Sequence, residues 1–266
     1  RRLLPHQGPC AHRHGRAAIT ETIWTNSMAE QQYLTFDYQM ARKQKIFEAL
    51  SESTYYVFNN EVEGHIAEFG TGTGFSTRTI ALAIANFSKL ILKNIKQDRI
   101  GAVKSSFPDL FLFDSFAGLP LAENPVDLDS PYVVSGRWHE GRFADLGMSE
   151  LVAMCEKFIG NEQIHPFEGW FSETLPTLAP GTKFAMVHLD CDLYSSTFEV
   201  LDYLIVHKHL SDGTLLLFDD WNCNRASPRF GQRKAWSDIV KKHNIEFSDA
   251  GDYAILGHKF FVHLPA

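Results

Sequence analysis

The chain has 266 residues, 44% of them hydrophobic and 21% charged, enough apolar material for one large domain or two small ones with a buried core. No run approaches the roughly 18 apolar residues of a membrane-spanning helix, so an integral helical membrane protein is excluded and no membrane partner is expected. A formal charge of −7, from 25 Lys plus Arg against 32 Asp plus Glu, argues against a nucleic-acid partner, whose phosphates require a basic surface. The cysteines Cys10, Cys155, Cys191 and Cys223 lie far apart with no Cys-x-x-Cys, so neither a disulfide framework nor a zinc ribbon is expected. A reducing compartment, the cytoplasm, is the natural reading.

Residues 1–27 hold four Arg against one Glu, a local balance of +3 that leaves −10 for the other 239 residues. This stretch has no initiator Met and no sustained apolar period. It reads as a disordered or non-native extension rather than a transit peptide, ahead of a single domain over residues 28–266. From Tyr33 to about Asn60, Met40, Phe47 and Leu50 mark an amphipathic helix. His65–Phe69 reads as a strand running into the glycine loop Gly70–Gly74, followed by a helix through Ile80–Ala85 into the low nineties. Asp109–Asp114 is a second strand, and residues 117–143 form a long loop punctuated by Pro and Gly. Helix 149–159 and strands 163–168 and 184–190 follow. A helix opening at Ser196, with Glu199 as its capping-box partner, then leads to strand 214–219. A helix near 231–243 and two strands, near Glu246 and over 253–263, complete the chain.

Strands alternating with helices predict an α/β fold with a mostly parallel, seven-stranded sheet covered on both faces. In such sheets ligands bind beyond the carboxyl ends of the strands. The glycines and carboxylates gather at those ends. Gly70, Gly72 and Gly74 let the backbone approach a ligand, yet Phe75 and Thr77 stand where a dinucleotide fingerprint needs its third glycine. Glu68 precedes the loop instead, giving E-x-G-x-G-x-G, and an acidic group there suits a ligand carrying ammonium and sulfonium charge. Asp114, at the end of the second strand, stands where ribose hydroxyls are held in folds of this kind; its alternative role is an Asx turn into Ser115. Asp190 and Asp192, two apart on one strand, are expected on the same face. With Asp219 and Asp220 they make four carboxylates at two strand ends, a set that calls for a hard cation such as Mg²⁺. His188 reads as a core residue, and His139, in the long loop, as a possible substrate contact.

With these residues in view, the chain resembles the class I, metal-dependent sugar O-methyltransferases of the macrocin O-methyltransferase family. The matching pieces are Glu68-Phe-Gly-Thr-Gly, Asp114-Ser-Phe-Ala-Gly-Leu-Pro120, Glu168-Gly-Trp-Phe-Ser-Glu-Thr-Leu-Pro176, Leu189-Asp-Cys-Asp-Leu-Tyr-Ser-Ser-Thr197 and Phe218-Asp-Asp-Trp221, in order over roughly residues 60–225. The resemblance implies a Rossmann-like class I methyltransferase fold and Mg²⁺-dependent methyl transfer from S-adenosylmethionine (SAM) to a hydroxyl of a small molecule, a natural-product sugar. It implies Mg²⁺ binding by Asp190, Asp219 and Asp220, and Asp192 as general base. It further implies SAM binding by Glu68, Gly70, Thr71, Gly72, Ser76, Asp114, Ser115, Gly169 and Trp170. A homo-oligomer is compatible with it. Residues 121–147, where the acceptor is expected, match poorly, and Trp221 stands where a tyrosine is more usual. The rivals are a metal-dependent glycosyltransferase, since Asp190-Cys-Asp192 is also a D-x-D motif, and a non-catalytic SAM-binding domain.

Overall fold

The computed structural model describes residues 28–104 and 106–264. The expected extension over residues 1–27, with Cys10 in it, lies outside them. The chain divides into two units, residues 1–42 and residues 43–266. The first contributes the opening part of helix α1 (Met28–Asn59) to the described residues.

The centre of the second unit is a seven-stranded sheet in the order β3-β2-β1-β4-β5-β7-β6. The strands are β1 (His65–Phe69), β2 (Leu110–Asp114), β3 (Ile164–Glu168), β4 (Phe184–Leu189), β5 (Leu210–Phe218), β6 (Glu246–Tyr253) and β7 (Gly257–His263). The first five are mutually parallel, and β7 runs antiparallel to both β5 and β6. The sheet is therefore mostly parallel with an antiparallel end. After β3 the chain crosses back to start β4 beside β1, so the strand order reverses between β1 and β4, the place where open α/β sheets bind ligands.

Side-chain alternation splits the strands into two chemistries. Ile66, Leu110, Leu112, Met186, Leu215 and Leu217 belong to one core with Leu50 of α1, Ile80 and Ile84 of α2 (Phe75–Lys93) and Leu151 of α3 (Met148–Cys155). Phe69, Phe113, Val187, Leu189 and Phe218 build the other with Leu201 of α4 (Tyr194–Val206) and Trp236 of α5 (Gly231–His243). On this second face Phe113 stacks on Phe69 and on Phe167, with ring centroids 4.5 Å apart in each pair, contacts worth about 0.5–1.5 kcal/mol apiece beyond their burial. Among the described residues no helix is long and apolar enough to cross a membrane. Cys155, Cys191 and Cys223 are free and buried.

Three expectations need correction. In the second unit the buried face of α1 is Ile46, Ala49, Leu50, Ser53, Thr54 and Val57, a 3–4 spacing that leaves Phe47 37% exposed, so the apolar face is rotated from the one expected. The long loop contains two helical turns, Pro125–Leu128 and Pro131–Val134, each opened by a capping side chain, Asn124 or Ser130, followed by Pro at the first helical position. Helix α4 starts at Tyr194, not Ser196, and has no local side-chain cap. Its opening N–H groups are taken by a remote carboxylate instead. Asp127, 1% exposed, accepts from Tyr194 N at 2.7 Å and from Ser195 N at 3.1 Å. A charged acceptor at a helix N-terminus also meets the positive end of the helix dipole, so a buried Asp outcompetes the Ser196–Glu199 pair.

Asp127→Ala would leave two half-buried helix-opening N–H groups without their acceptor and should lower the unfolding free energy by about 0.5–2 kcal/mol, the usual worth of a helix cap. The check is thermal unfolding of the variant; an unchanged midpoint would mean that Asp127 is not the cap of α4.

Candidate functional site

The residues beyond the strand ends are held by hydrogen bonds that continue the ladders of the sheet. Gly70 N donates to Phe113 O, Asp190 N to Phe69 O and Asp219 N to Leu189 O, while Gly169 N donates to Asp114 O, all between 2.9 and 3.0 Å. Four loops are thus fixed side by side. They are also pressed together: a Cβ on Gly70, whose φ is +86°, would stand 2.0 Å from Asp190 O, so only glycine lets the first loop pass the fourth strand. Gly72, at φ +44°, has nothing within 4 Å of its Cβ position and faces open space.

Asp114 ties this loop down. Its Oδ2 accepts from Thr71 N at 2.6 Å and Thr71 Oγ1 at 2.8 Å, and its Oδ1 accepts from Phe116 N at 2.7 Å, an Asx turn. Oδ2 is fully used and Oδ1 keeps one acceptor position. Ser115 turns into its own loop, Oγ donating to Gly118 O at 2.9 Å. Ser76 is buried in the first turn of α2, and Trp170 is 40% exposed beside Gly169.

Glu68 is not brought to the ligand-facing surface. It is wholly buried, with Oε1 3.0 Å from His188 Nδ1 and Oε2 accepting from Thr77 Oγ1 at 2.5 Å. Burial alone would push the His188 imidazole down. The hydrogen bond and charge of Glu68, helped by Asp190 and Asp219, overcome this and hold it up at about 9. Alternation makes the pair: Glu68 and His188 are direct partners in the β1–β4 ladder, on the sheet face whose next outward positions are Gly70 and Asp190.

Asp190, Asp219 and Asp220 bring one carboxylate oxygen each within 4.8 Å of one another. Burial, then the charges of Asp219 and Asp220, hold the Asp190 carboxyl well above the usual range. Asp192 stands beside this group but outside it. β4 ends at Leu189 and Asp192 has a left-handed φ of +58°, so strand alternation does not carry from Asp190 to Asp192, and the expected common face gives way to a turn. The backbone N of Asp192 donates to Asp220 Oδ2 at 3.2 Å, and burial, Asp220 and Asp219 raise its carboxyl too.

Sequence reasoning missed the residues that hold this arrangement. Gln232, at the start of α5, accepts from Asp220 N at 2.9 Å and donates to Leu189 O at 3.0 Å, bridging the two aspartate loops. Asn224 accepts from Tyr132 N at 2.9 Å within a run, Asn224-Arg225-Ala226, of left-handed residues. Thr77 gave a weak signal, as the residue that displaces the third glycine; Gln232 and Asn224 gave none. His139 is exposed in its loop, its Nδ1 2.9 Å from Glu140 O.

A family model for macrocin O-methyltransferases (TylF) matches residues 27–248. Over 140 residues, 50% of this chain and 51% of the relative, the chain is 33% identical to the 8-demethyl-8-(2,3-dimethoxy-α-L-rhamnosyl)-tetracenomycin-C 4′-O-methyltransferase of Streptomyces olivaceus. Over 61 residues, 23% of this chain and 22% of the relative, it is 39% identical to the demethyldecarbamoylnovobiocin O-methyltransferase of Streptomyces niveus. The matches thus span about half the length of the first of these relatives and less of the second. The fold is similar to that of the O-methyltransferase NovP, with a TM-score of 0.61 and 22% identity over 83% of this chain and 80% of that one. It is also similar to that of the calicheamicin methyltransferase CalS11, with a TM-score of 0.57 and 21% identity over 98% of this chain and 100% of that one.

Two glycine substitutions separate packing from ligand space. Gly70→Ala drives a methyl group into Asp190 O and should cost several kcal/mol of stability, read as a large fall in the thermal midpoint. Gly72→Ala meets nothing and should cost only the left-handed backbone, about 1–2 kcal/mol. Equal losses would contradict the tight passage of the glycine loop past β4.

Proposed function

The chain belongs to the macrocin O-methyltransferase family, and we propose that it transfers the methyl group of SAM to a hydroxyl of a small-molecule acceptor, a sugar of a natural product, with Mg²⁺ required. The carrying observation is the meeting of three carboxylates within 4.8 Å beside a glycine loop that is open at Gly72. Like charges so close in a half-buried place repel strongly, and an all-oxygen donor set of this kind fits a hard divalent cation. The open backbone at Gly72, the remaining acceptor position on Asp114 Oδ1 and the exposed ring of Trp170 fit a nucleoside ligand with ribose hydroxyls. When bound, SAM supplies the methyl group and Mg²⁺ lowers the pKa of the acceptor hydroxyl.

The chain's own residues supply position and proton transfer. Asp190, Asp219 and Asp220 would hold the metal; Gly70, Thr71, Gly72, Ser76, Asp114, Ser115, Gly169 and Trp170 form the cradle for SAM. Glu68, with both oxygens engaged and no exposure, acts through His188 and Thr77 as a buttress of that cradle rather than as a contact. Asp192 is the base. Burial raises its carboxyl, so it binds a proton more tightly than an exposed aspartate, as removal of a weakly acidic hydroxyl proton requires. Fixing oxygen, methyl carbon and sulfur in line accounts for much of the remaining rate.

Calorimetry against SAM, NAD and a UDP-sugar, with and without Mg²⁺, tests the reading. SAM alone of the three should bind, EDTA should stop methyl transfer with little change in SAM affinity, and added Mg²⁺ should restore turnover. Binding of a UDP-sugar or NAD but not SAM would overturn it, and full activity in EDTA would return the three aspartates to a structural role.

The two aspartates of the β4 loop should differ. Asp192→Asn keeps shape but removes the basic oxygen and should reduce turnover roughly 10²–10⁴-fold with metal affinity little altered. Asp190→Asn should weaken Mg²⁺ binding and recover partly at high Mg²⁺. If excess metal rescued the Asp192 variant and not the Asp190 variant, the two roles would be exchanged.

A further inference from the structure

The loop that follows Asp114 carries a pocket whose charge is opposite to that of the aspartate cluster. It has a volume of about 460 Å³ and is lined by Tyr132, Arg137, Trp138, His139, Arg142 and Phe143. The Arg137 guanidinium lies 4.8 Å from the centre of the Tyr132 ring, and that of Arg142 lies 5.0 Å from the centre of the Phe143 ring. Among the described residues neither arginine forms an ion pair, in a chain with seven more acidic than basic side chains. Two guanidinium groups held on ring faces, with no carboxylate to neutralise them, leave a basic concavity on an acidic protein.

The pocket is built against the site. Trp138, 5% exposed, packs in one cluster with Leu193 and Cys223, which adjoin Asp192 and follow Asp220 by three residues. Tyr132 N donates to Asn224 Oδ1 at 2.9 Å in the same loop as Cys223. On the other side Leu119 N donates to Arg142 O at 2.8 Å and Gly141 N to Leu119 O at 2.9 Å, joining the rim to the turn after Asp114. The pocket is thus held between the end of β2 and the aspartate loops of β4 and β5.

We propose that this pocket binds an anionic group, a phosphate or a carboxylate, carried by the acceptor on a part remote from the hydroxyl that is methylated. That the ligand is the acceptor rests on the methyl-transfer reading. Guanidinium forks match the paired oxygens of both anions, and Tyr132, Trp138 and Phe143 line the pocket around them. An acidic reacting end and a basic remote end would orient the acceptor by charge alone, since the reverse placement sets an anion against four carboxylates.

Calorimetry in EDTA, where no metal can recruit anions to the aspartates, tests this with pyrophosphate, benzoate and the neutral benzyl alcohol as probes. The wild-type chain should bind pyrophosphate or benzoate and not benzyl alcohol; which of the two it binds more tightly identifies the anion as phosphate or carboxylate. Arg137→Gln with Arg142→Gln should weaken that binding at least roughly tenfold, with SAM affinity unchanged as the sign of an intact fold. Arg137→Lys with Arg142→Lys keeps the charge and should retain part of the affinity. The proposal is overturned if the wild type binds neither anion, if the glutamine pair binds them as well as the wild type, or if the lysine pair binds no better than the glutamine pair. Absence of SAM binding to the wild type would instead strike the methyl-transfer reading and leave the basic pocket to be judged by the anion titrations.

Discussion

Glu68 and His188 are paired in the dry centre of the sheet, across the two strands between which its order reverses. Neither side chain touches water, and Glu68, 3.0 Å from His188 Nδ1 and helped by Asp190 and Asp219, offsets the cost of burying the imidazolium. Removing one partner would strand a buried charge, which makes this pair a fixed reference for everything outward of it. Thr77 extends it into the first turn of α2 and thereby anchors the helix that the glycine loop opens. One residue beyond Glu68's neighbour Phe69 comes the glycine loop, and two beyond His188 comes Asp190. The register of these two strands thus decides where the loop and the carboxylate meet.

The same alternation sorts the rest of the site. Phe69, Phe113, Val187, Leu189 and Phe218 face α4 and α5 and make a tight aromatic and aliphatic layer. The opposite face runs through Ile66, Leu112, Met186 and Leu217 to Glu68, Asp114, His188, Asp190 and Asp219, so polarity rises along the strands toward their carboxyl ends. Rigid packing beneath is what allows like charges to be held together above. Gln232 bridges Leu189 O and Asp220 N and keeps the Asp219-Asp220 pair against β4, resisting the separation that their repulsion favours.

How much of this was legible follows from how local each cause is. Strand–helix alternation, the glycine loop and the aspartates at two strand ends are short-range patterns, and the parallel sheet and the meeting of Asp190, Asp219 and Asp220 could be read from them. The destination of Glu68 could not: its position before the glycines suggests a ligand contact, and only the β1–β4 register reveals that His188 occupies it first. The capping box at Ser196 misled for a similar reason, because its competitor Asp127 is 67 residues from Tyr194. Asp192 departed from strand alternation because β4 stops at Leu189, a boundary that the continuous apolar run into Asp190 conceals.

Residues 117–143 are where sequence pattern and structure part furthest, and the reason is physical. Residues 117–143 contain no long apolar period because they are fastened by individual contacts, polar ones from Asp127 and Tyr132 and a small apolar cluster of Leu119 and Trp138 with Leu193 and Cys223. Asp127 clamps the start of α4, four residues after Asp190 and just past the turn that carries Asp192. Tyr132 N is held by Asn224 in the Asp219–Asp220 loop, and Trp138 fills the space between Leu193 and Cys223. Each attachment ends on the carboxylate loops of β4 and β5. A change in residues 117–143 therefore bears on the loops that carry Asp192 and Asp220 through these contacts. The sheet fixes where the carboxylates meet, while residues 117–143 are tied to the carboxylate loops by these few contacts.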